Sequence, residues 1–218
     1  MTATSILVTD FDGTITRQDF YQLVASQYMP STAPDYWAQY AHGELSHFEA
    51  MRAFFAHTPT DAAALERLLD QTEPDPQLGS SIASLRANGW EIVIASAGSS
   101  WYIDRLLARA GVHDVAVHAN PGEIETGRGL WIRRPEASPF YSKEVGVDKT
   151  AIVRDALNHA ATVAFAGDGP PDLAPALLVP PERRYARGWL AGELRRGGHS
   201  FRPFRQWSEI ARDLLQPR

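Results

Sequence analysis

The 218-residue chain contains no cysteine and only two lysines, beside nineteen arginines. The absence of cysteine excludes disulfide bonds, thiolate metal sites and a cysteine nucleophile. No stretch approaches the roughly 18 consecutive apolar residues that a membrane-spanning helix needs. The N-terminus also lacks the basic start of a secretory signal. We therefore expect a cytoplasmic protein with no membrane partner.

Basic residues are also fewer than acidic ones, 21 against 26, which gives a formal net charge of −5. A net-negative chain disfavours non-specific nucleic-acid binding. The exception is the segment 182–218, where nine arginines outnumber four acidic residues. We interpret this segment as solvated helices, with an anionic partner as the alternative. Nothing in the sequence indicates an oligomeric state.

Apolar residues make up 44% of the chain, which is typical of a globular domain and excludes disorder. From residue 77 onward, short apolar runs alternate with helical patterns. This alternation predicts a mostly parallel sheet covered by helices on both faces. Together with the first apolar run, it predicts strands at 5–9, 91–96, 113–118, 162–167 and 184–186, a hairpin at 123–132, and helices at 77–88, 100–110, 148–159, 188–197 and 207–215.

One block, residues 17–76, breaks the alternation directly after the first strand. Its patterns predict helices alone, at 18–28, 35–42, 46–57 and 61–71. We therefore predict a Rossmann-like α/β core, formed by 1–16 and 77–218, with a small all-helical cap at 17–76. We interpret the cap aromatics mainly as cap core, and we assign none of the seven histidines a catalytic role.

Polar residues stand where the predicted strands end or where a helix begins, and ligands of parallel sheets lie beyond those strand ends. These residues are Asp10, Asp12, Ser96, Lys149, Asp168 and Asp172. Close carboxylates repel unless a cation compensates them, and Mg²⁺ is the usual choice for oxygen ligands. A serine hydroxyl and a lysine charge would bind a phosphate opposite that metal. Taken singly, each of these residues is also explained as a turn, a cap or a solvated charge.

The ordered set resembles the four motifs of the haloacid dehalogenase superfamily of phosphohydrolases. Its first motif matches Asp10-Phe-Asp-Gly-Thr-Ile-Thr16, its second Ser96, its third Lys149 and its fourth Gly167-Asp-Gly-Pro-Pro-Asp172. The helical insertion matches the cap of the phosphoserine-phosphatase-like members. The resemblance implies that fold and a Mg²⁺-dependent phosphatase acting on a small phosphorylated metabolite.

The resemblance also implies roles for the acidic residues. Asp10 would be the nucleophile that becomes an aspartyl-phosphate, and Asp12 would be the general acid and base. For that role, we expect the pKa of Asp12 to be raised relative to that of Asp10. The metal ligands would be Asp10, the backbone carbonyl of Asp12, and Asp168, while Asp172 would orient metal-bound waters or Lys149.

Phosphate binding and substrate choice follow from the same resemblance. Ser96, the backbone of Ala97 and Lys149 would bind the transferring phosphoryl group. Asp19 would face the substrate, with a plain helix cap as the equal alternative. Trp101 and Tyr102, just past Ser96, are expected to face the substrate too.

One branch of the family is more similar than the others. The first motif, the cap segment Gly43-Glu-Leu-Ser-His-Phe-Glu49 and Arg184-Tyr-Ala-Arg-Gly-Trp-Leu190 resemble the methionine-salvage phosphatases, which act on 2-hydroxy-3-keto-5-methylthiopentenyl-1-phosphate. The chain lacks the cysteines which that branch carries before the third-motif lysine. Pro171 replaces an asparagine of phosphoserine phosphatases and Phe55 stands near their substrate-binding arginine, so we expect phosphoserine not to be the substrate.

Two alternative functions use the same residues. A phosphotransferase of the same superfamily would need only a different acceptor. A catalytically silent sensor would bind a phosphorylated ligand without turnover, although the complete set of Asp10, Asp12, Lys149 and Asp168 argues against it.

Overall fold

The computed structural model describes residues 5–216, in which six strands form one parallel sheet in the order β10-β9-β8-β1-β2-β3. Two antiparallel hairpins, β4 with β5 and β6 with β7, lie outside this sheet. The strands are β1 Ser5–Thr9, β2 Trp90–Ser99, β3 Ala116–Asn120, β4 Gly122–Glu125, β5 Gly129–Ile132, β6 Tyr141–Ser142, β7 Gly146–Val147, β8 Thr162–Gly167, β9 Arg184–Ala186 and β10 Arg202–Pro203.

Helices precede, connect and follow these strands. They are α1 Phe20–Tyr28, α2 Tyr36–Ala41, α3 His47–Phe55, α4 Ala62–Gln71, α5 Leu78–Ala87, α6 Ser100–Arg109, α7 Lys149–His159, α8 Leu173–Leu178, α9 Gly188–Arg196 and α10 Trp207–Leu214. The predicted α/β class is confirmed. Of the predicted core, 1–4 and 217–218 lie outside the described residues.

Both faces of the sheet are covered, because successive side chains of a strand point to opposite sides. Leu7 of β1 packs with α5, α6 and α10, whereas its neighbours Ile6 and Val8 pack with α7, α8 and α9. The central strands are therefore apolar throughout, as in other parallel sheets with helices on both faces. The polar strand ends are left to form the site.

The cap consists of α1 to α4, which lie in the chain between β1 and α5. Its apolar residues belong to the same cluster as those of α5, α6 and α10. The two chain segments that enter and leave the cap pair with each other through a bridge between Thr16 and Pro74. The Arg17 N–H also donates to the Thr72 carbonyl at 3.0 Å. These paired segments support the predicted cap limits of 17 and 76, which stay a prediction.

The hairpin of β4 and β5 reaches from the core onto the cap, where β5 packs against α3. Gly129 makes this approach possible: its φ is +66°, and a Cβ there would lie 2.6 Å from the Ala56 carbonyl oxygen. Two cap and hairpin arginines, Arg52 and Arg128, stack on the Trp131 ring at 5.1 and 4.4 Å. The cap is thus held by more than its two connections.

The structure differs from the prediction at a few short elements. The strand expected at 113–118 lies at 116–120, because Asp114 adopts a left-handed conformation with φ +59° and delays its start. The expected hairpin is confirmed as β4 and β5. Helix α8, which contains Pro175, and the two-residue strands β6, β7 and β10 were not predicted. Within residues 5–216, no helix is long and apolar enough to cross a membrane.

Trp207 ties the C-terminal helix to the central strand, since its fully buried Nε1 donates to Thr9 Oγ1 at 3.0 Å. We expect Trp207→Ala to lower the free energy of unfolding by about 3–5 kcal/mol, the usual effect of a large core truncation. Urea denaturation measures this loss. Trp189→Ala is the matched control, because Trp189 is 44% exposed and should cost much less. Equal losses in the two variants would contradict the assignment.

Candidate active site

Asp10 lies at the junction of the two central strands. Its N–H donates to the Ala166 carbonyl of β8 at 2.9 Å, which fixes the backbone directly after β1. The chain then turns through Asp12 and Gly13. Gly13 has φ +67°, and a Cβ there would lie 2.4 Å from Asp168 Oδ2. Glycine is therefore needed for the loop after β1 to approach the loop after β8.

Lys149 binds two carboxylates at the floor of the site. Its buried Nζ lies 2.7 Å from Asp10 Oδ1 and 2.7 Å from Asp172 Oδ1. The lysine opens α7, whose start is capped by the Asp148 side chain accepting from the Ala151 N–H at 3.0 Å. Burial opposes the lysine charge, but Asp10 and Asp172 outweigh it and raise the pKa of Lys149. The lysine therefore stays protonated.

Asp172 is fully buried and organises the loop that follows β8. Its Oδ2 accepts from the N–H groups of Asp168 and Gly169, both at 3.0 Å. Its Oδ1 accepts from Lys149. Because both oxygens are occupied by these bonds, Asp172 fixes the lysine and the loop rather than facing the substrate. This position agrees with the predicted supporting role, which stays a prediction.

Ser96 and Ala97 lie near the end of β2 and line the same cleft as Lys149. Ser96 is 1% exposed, and its Oγ accepts from the Gly98 N–H at 2.9 Å. Asn120 of the neighbouring strand donates to the Ala97 carbonyl at 2.8 Å, which holds this strand end in place. The structure thus brings the predicted phosphate-binding residues together beside Asp10.

The cleft between core and cap has a volume of about 360 Å³. Its core side carries the motif residues, and its cap side is formed by α1, α2 and the start of α3. It is lined by Asp10, Asp12, Asp19, Tyr21, Trp37, Tyr40, His47, Met51, Ser96, Ala97, Gly98, Val145, Lys149 and residues 168–172. All but two of the predicted site residues therefore face one space.

The acidic residues on the floor repel one another. Burial raises the pKa of Asp10 well above its ordinary value, and Asp172 raises it further against the opposing effect of Lys149. Burial and then Asp172 raise the pKa of Asp168 to about 7. A cation bound among these carboxylates would relieve the repulsion.

The available oxygens fit a hard divalent cation. Oxygens of Asp10, Asp168 and Asp172 lie within 4.8 Å of one another. Asp172 accepts from Lys149 and from two backbone N–H groups, so it has the least freedom of the three to turn toward a metal. The ligand pair of Asp10 and Asp168 stays a prediction. The Asp12 carbonyl accepts no hydrogen bond in the described part of the chain and offers a third oxygen. An all-oxygen set of this kind suits Mg²⁺.

Asp12 is held by hydrogen bonds to both of its oxygens. Tyr102 Oη donates to Oδ2 at 2.5 Å, and the Phe20 N–H, at the start of the cap, donates to Oδ1 at 3.1 Å. Burial raises the pKa of Asp12, while these two bonds lower it. Burial, followed by Asp172, also raises the pKa of Asp10 against the opposing effect of Lys149. Both groups are therefore raised, and the expected order of the two pKa values stays a prediction.

The expectation that Trp101 and Tyr102 face the substrate is corrected here, because neither lines the cleft. Tyr102 is 1% exposed and stacks on Phe20 at 4.4 Å, beneath the cleft floor. Its hydroxyl reaches Asp12 instead of a substrate. Trp101 packs against Arg105, whose guanidinium lies 4.1 Å from the ring centre. The first turn of α6 therefore directs Tyr102 into the protein, while Trp101 stays partly buried on its outer side.

Asp19 lines the cleft, as predicted. It precedes α1 but forms no side-chain cap bond, so a plain helix cap does not explain it. Its Oδ2 accepts from Gln22 at 2.8 Å. Burial, followed by the charges of Asp12 and Asp10, raises its pKa to about 7. A role facing the substrate stays a prediction.

The cleft is lined by several cap residues to which the sequence analysis gave no role or a place in the cap core. Of the cap aromatics, Phe20, Phe54 and Phe55 are buried as expected. The cleft instead receives Tyr21, Trp37, Tyr40, His47, Met51 and, from the core, Val145. The same helical pattern of apolar residues occurs in a cleft wall and in a cap core. The sequence therefore could not show which cap residues line the cleft.

Comparison with known proteins agrees with this site. Residues 7–176 match the family model of haloacid dehalogenase-like hydrolases. The match covers most of the chain and includes all four motif positions. The chain therefore belongs to the haloacid dehalogenase-like hydrolases.

Individual relatives are more distant. The chain is 24% identical over 216 residues to a 2-hydroxy-3-keto-5-methylthiopentenyl-1-phosphate phosphatase of Brevibacillus brevis, covering 97% of this chain and 95% of that protein. A substrate-bound phosphoserine phosphatase superposes with TM-score 0.65 at 14% identity, covering 95% and 96%. A family hydrolase of Salmonella enterica has TM-score 0.61 at 22% identity, covering 85% of this chain, which spans 63% of that protein. The likeness to solved structures shows the fold alone.

The buried network around Lys149 predicts a stability effect. Asp172→Asn keeps the shape but removes the charge that faces the lysine. We expect the free energy of unfolding to fall by about 1.5–3 kcal/mol, as for the loss of hydrogen bonds between charged groups, because Asp10 still pairs with the lysine. Urea denaturation measures the change. Asp155→Asn is the control, because that carboxylate is 52% exposed; an equally small effect in both variants would contradict the network.

The raised pKa values of Asp19 and Asp168 predict a pH dependence of the metal-free protein. Between about pH 4 and pH 7 the folded protein keeps protons that the unfolded chain has released. Its free energy of unfolding should therefore decrease as pH rises through this window. Asp19→Asn should make the decrease smaller, and Asp155→Asn should leave it unchanged. Urea denaturation in EDTA at several pH values checks both; a steeper decrease in Asp19→Asn would refute the assignment.

Proposed function

We propose that the chain is a Mg²⁺-dependent phosphatase that hydrolyses a small phosphorylated metabolite through an aspartyl-phosphate on Asp10. Family membership and the cleft make it a phosphoric monoester hydrolase. The observation that carries the finer proposal is Lys149, buried between Asp10 and Asp172 at the cleft floor. A fixed positive charge beside a carboxylate is suited to hold a phosphoryl group against a nucleophile.

In the first step, an Asp10 oxygen attacks phosphorus. A bond forms between that oxygen and phosphorus while the bond to the leaving oxygen breaks. Lys149 and Ser96 hold the phosphoryl oxygens in line for this attack. Asp12 gives its proton to the leaving oxygen, so that the product departs as an alcohol.

In the second step, water hydrolyses the aspartyl-phosphate. Asp12, now ionised, takes a proton from the water as it attacks phosphorus, and Asp10 is released as a carboxylate. The Tyr102 hydroxyl keeps the Asp12 carboxylate oriented between the two steps. Closure of the cap over the cleft limits the water that enters.

The metal site follows from the oxygen donors at the floor. Asp10, Asp168 and the Asp12 carbonyl would hold Mg²⁺, which when bound supplies positive charge to the phosphoryl oxygens. Asp172 would fix the loop that carries Asp168. A cytoplasmic location is part of the same proposal.

The first candidate substrate is 2-hydroxy-3-keto-5-methylthiopentenyl-1-phosphate. The support is the function of the Brevibacillus relative and the sequence segments that resemble that branch. Phosphoserine is a poorer candidate, because the fully buried Phe55 stands near the position of the carboxylate-binding arginine. The alternatives are a phosphotransferase and a silent phosphate sensor, which the experiment below separates.

We expect the purified protein with Mg²⁺ to release phosphate from one or more esters in a panel of the methylthiopentenyl phosphate, phosphoserine, sugar phosphates, nucleotides and phosphocholine. Asp10→Asn should lower kcat by about 10³-fold or more, because it removes the nucleophile. EDTA should abolish release and added Mg²⁺ should restore it. Phosphate release and product alcohol are measured together.

Asp155→Asn serves as the matched control, since it makes the same chemical change at an exposed position. Appreciable turnover by Asp10→Asn would overturn the nucleophile assignment. Transfer of phosphate to an added alcohol in preference to water would favour the phosphotransferase. Binding of esters with no release from any would favour the sensor.

A further inference from the structure

Apart from Asp19 at the start of α1, the cap side of the cleft is neutral, whereas the core side is strongly acidic. Five carboxylates line the cleft, and Lys149 is its one cationic side chain among the described residues. That lysine already binds Asp10 and Asp172. The cap contributes aromatic rings, a thioether and one imidazole, namely Tyr21, Trp37, Tyr40, Met51 and His47. A leaving group that extends from the phosphate toward the cap therefore meets no positive side chain.

His47 is fixed in this wall from two directions. It is the first residue of α3, and its N–H donates to Glu144 Oε1 at 3.1 Å. The next N–H, from Phe48, donates to the Glu144 carbonyl at 2.8 Å. The imidazole packs against two cap aromatics of α2, 5.3 Å from the Trp37 ring and 5.7 Å from the Tyr40 ring. The ring therefore has a defined orientation beside the cleft.

The two ring nitrogens of His47 differ in their surroundings. Nδ1 is buried and has no hydrogen-bond partner within residues 5–216. A buried N–H without a partner is costlier than a buried acceptor, so we assign the proton to Nε2. Nε2 is not buried in the same way, and it also makes no hydrogen bond to the described residues. The ring thus keeps a donor for a group that enters the cleft.

The imidazole is uncharged near neutral pH. Burial, followed by the charge of Lys149, lowers the pKa of His47 to about 4, against the opposing effect of Glu144. An uncharged donor binds hydroxyl and carbonyl oxygens without supplying the positive charge that would offset a carboxylate.

We propose that His47 determines specificity by donating a hydrogen bond to an uncharged oxygen of the leaving group, so that the cleft selects phosphate monoesters whose leaving group carries no negative charge. This inference rests on the proposed phosphatase function and adds the class of substrate. An anionic leaving group would lie among the carboxylates of the floor and the neutral rings of the cap. Repulsion and lost hydration would both oppose its binding.

Three esters of equal carbon number test this selection. Glycerol 3-phosphate has hydroxyl groups, n-propyl phosphate has none, and 3-phosphoglycerate has a carboxylate. The wild type should show the highest kcat/KM with glycerol 3-phosphate, about three- to tenfold above n-propyl phosphate, as one neutral hydrogen bond contributes. It should show the lowest kcat/KM with 3-phosphoglycerate.

Variants at His47 separate the hydrogen bond from packing. His47→Phe keeps a ring but no donor, and should bring glycerol 3-phosphate to the level of n-propyl phosphate, mainly through KM. His47→Gln keeps a neutral donor and should retain part of the preference. His47→Arg adds charge and should raise kcat/KM for 3-phosphoglycerate relative to the wild type. His42→Phe, at an exposed position of the same cap, should change nothing.

Binding to an inactive protein distinguishes failure of this inference from failure of the proposed function. In the Asp10→Asn background, calorimetric affinities for the three esters should follow the same order, and His47→Phe should again remove the preference for glycerol 3-phosphate. The affinities test the inference even if the wild type releases no phosphate. A 3-phosphoglycerate affinity equal to that of glycerol 3-phosphate, or an equal loss on all three esters in His47→Phe, would overturn it.

Discussion

The crowding of carboxylates around one buried lysine is the constraint on which this structure depends. Lys149 lies 2.7 Å from both Asp10 and Asp172, and two further acids, Asp12 and Asp168, line the same cleft. Such an arrangement is unstable unless strands and loops hold it together. The parallel sheet does so, because the ends of β1 and β8 bring the loops after them to one edge. The parallel sheet therefore holds carboxylates close together that would otherwise repel one another.

The sequence was sufficient for the frame of the molecule. Apolar runs such as Ile6 to Val8 are typical of strands covered on both faces, and their alternation with helical patterns indicated the α/β class. The motif residues could be located because a parallel sheet brings its carboxyl ends to one edge. Asp10, Asp12, Ser96, Lys149 and Asp168 do line one cleft, as their places at strand ends and helix starts and the resemblance to the four family motifs led us to expect.

Other features depend on packing that no local pattern encodes. The Tyr102 hydroxyl reaches Asp12 by passing close to Gly98. A Cβ at Gly98 would lie 1.8 Å from that hydroxyl, so the contact depends on a glycine at this position. Trp37 and Phe54 follow similar helical patterns, yet one lines the cleft and the other is buried. The direction of a helix face depends on its neighbours, so the cap wall had to be seen in the structure.

The Glu144 contacts with the start of α3 have a consequence for motion. A cap joined to a core by two adjacent segments can rotate as a rigid body, with those segments as its hinge. Away from this hinge, the His47 and Phe48 N–H groups of the cap donate to Glu144, in the turn between β6 and β7. Opening must break these bonds or carry the turn along. If the proposed function holds, entry of a substrate and departure of an alcohol would therefore be coupled to a loop of the core that lies outside all four motifs.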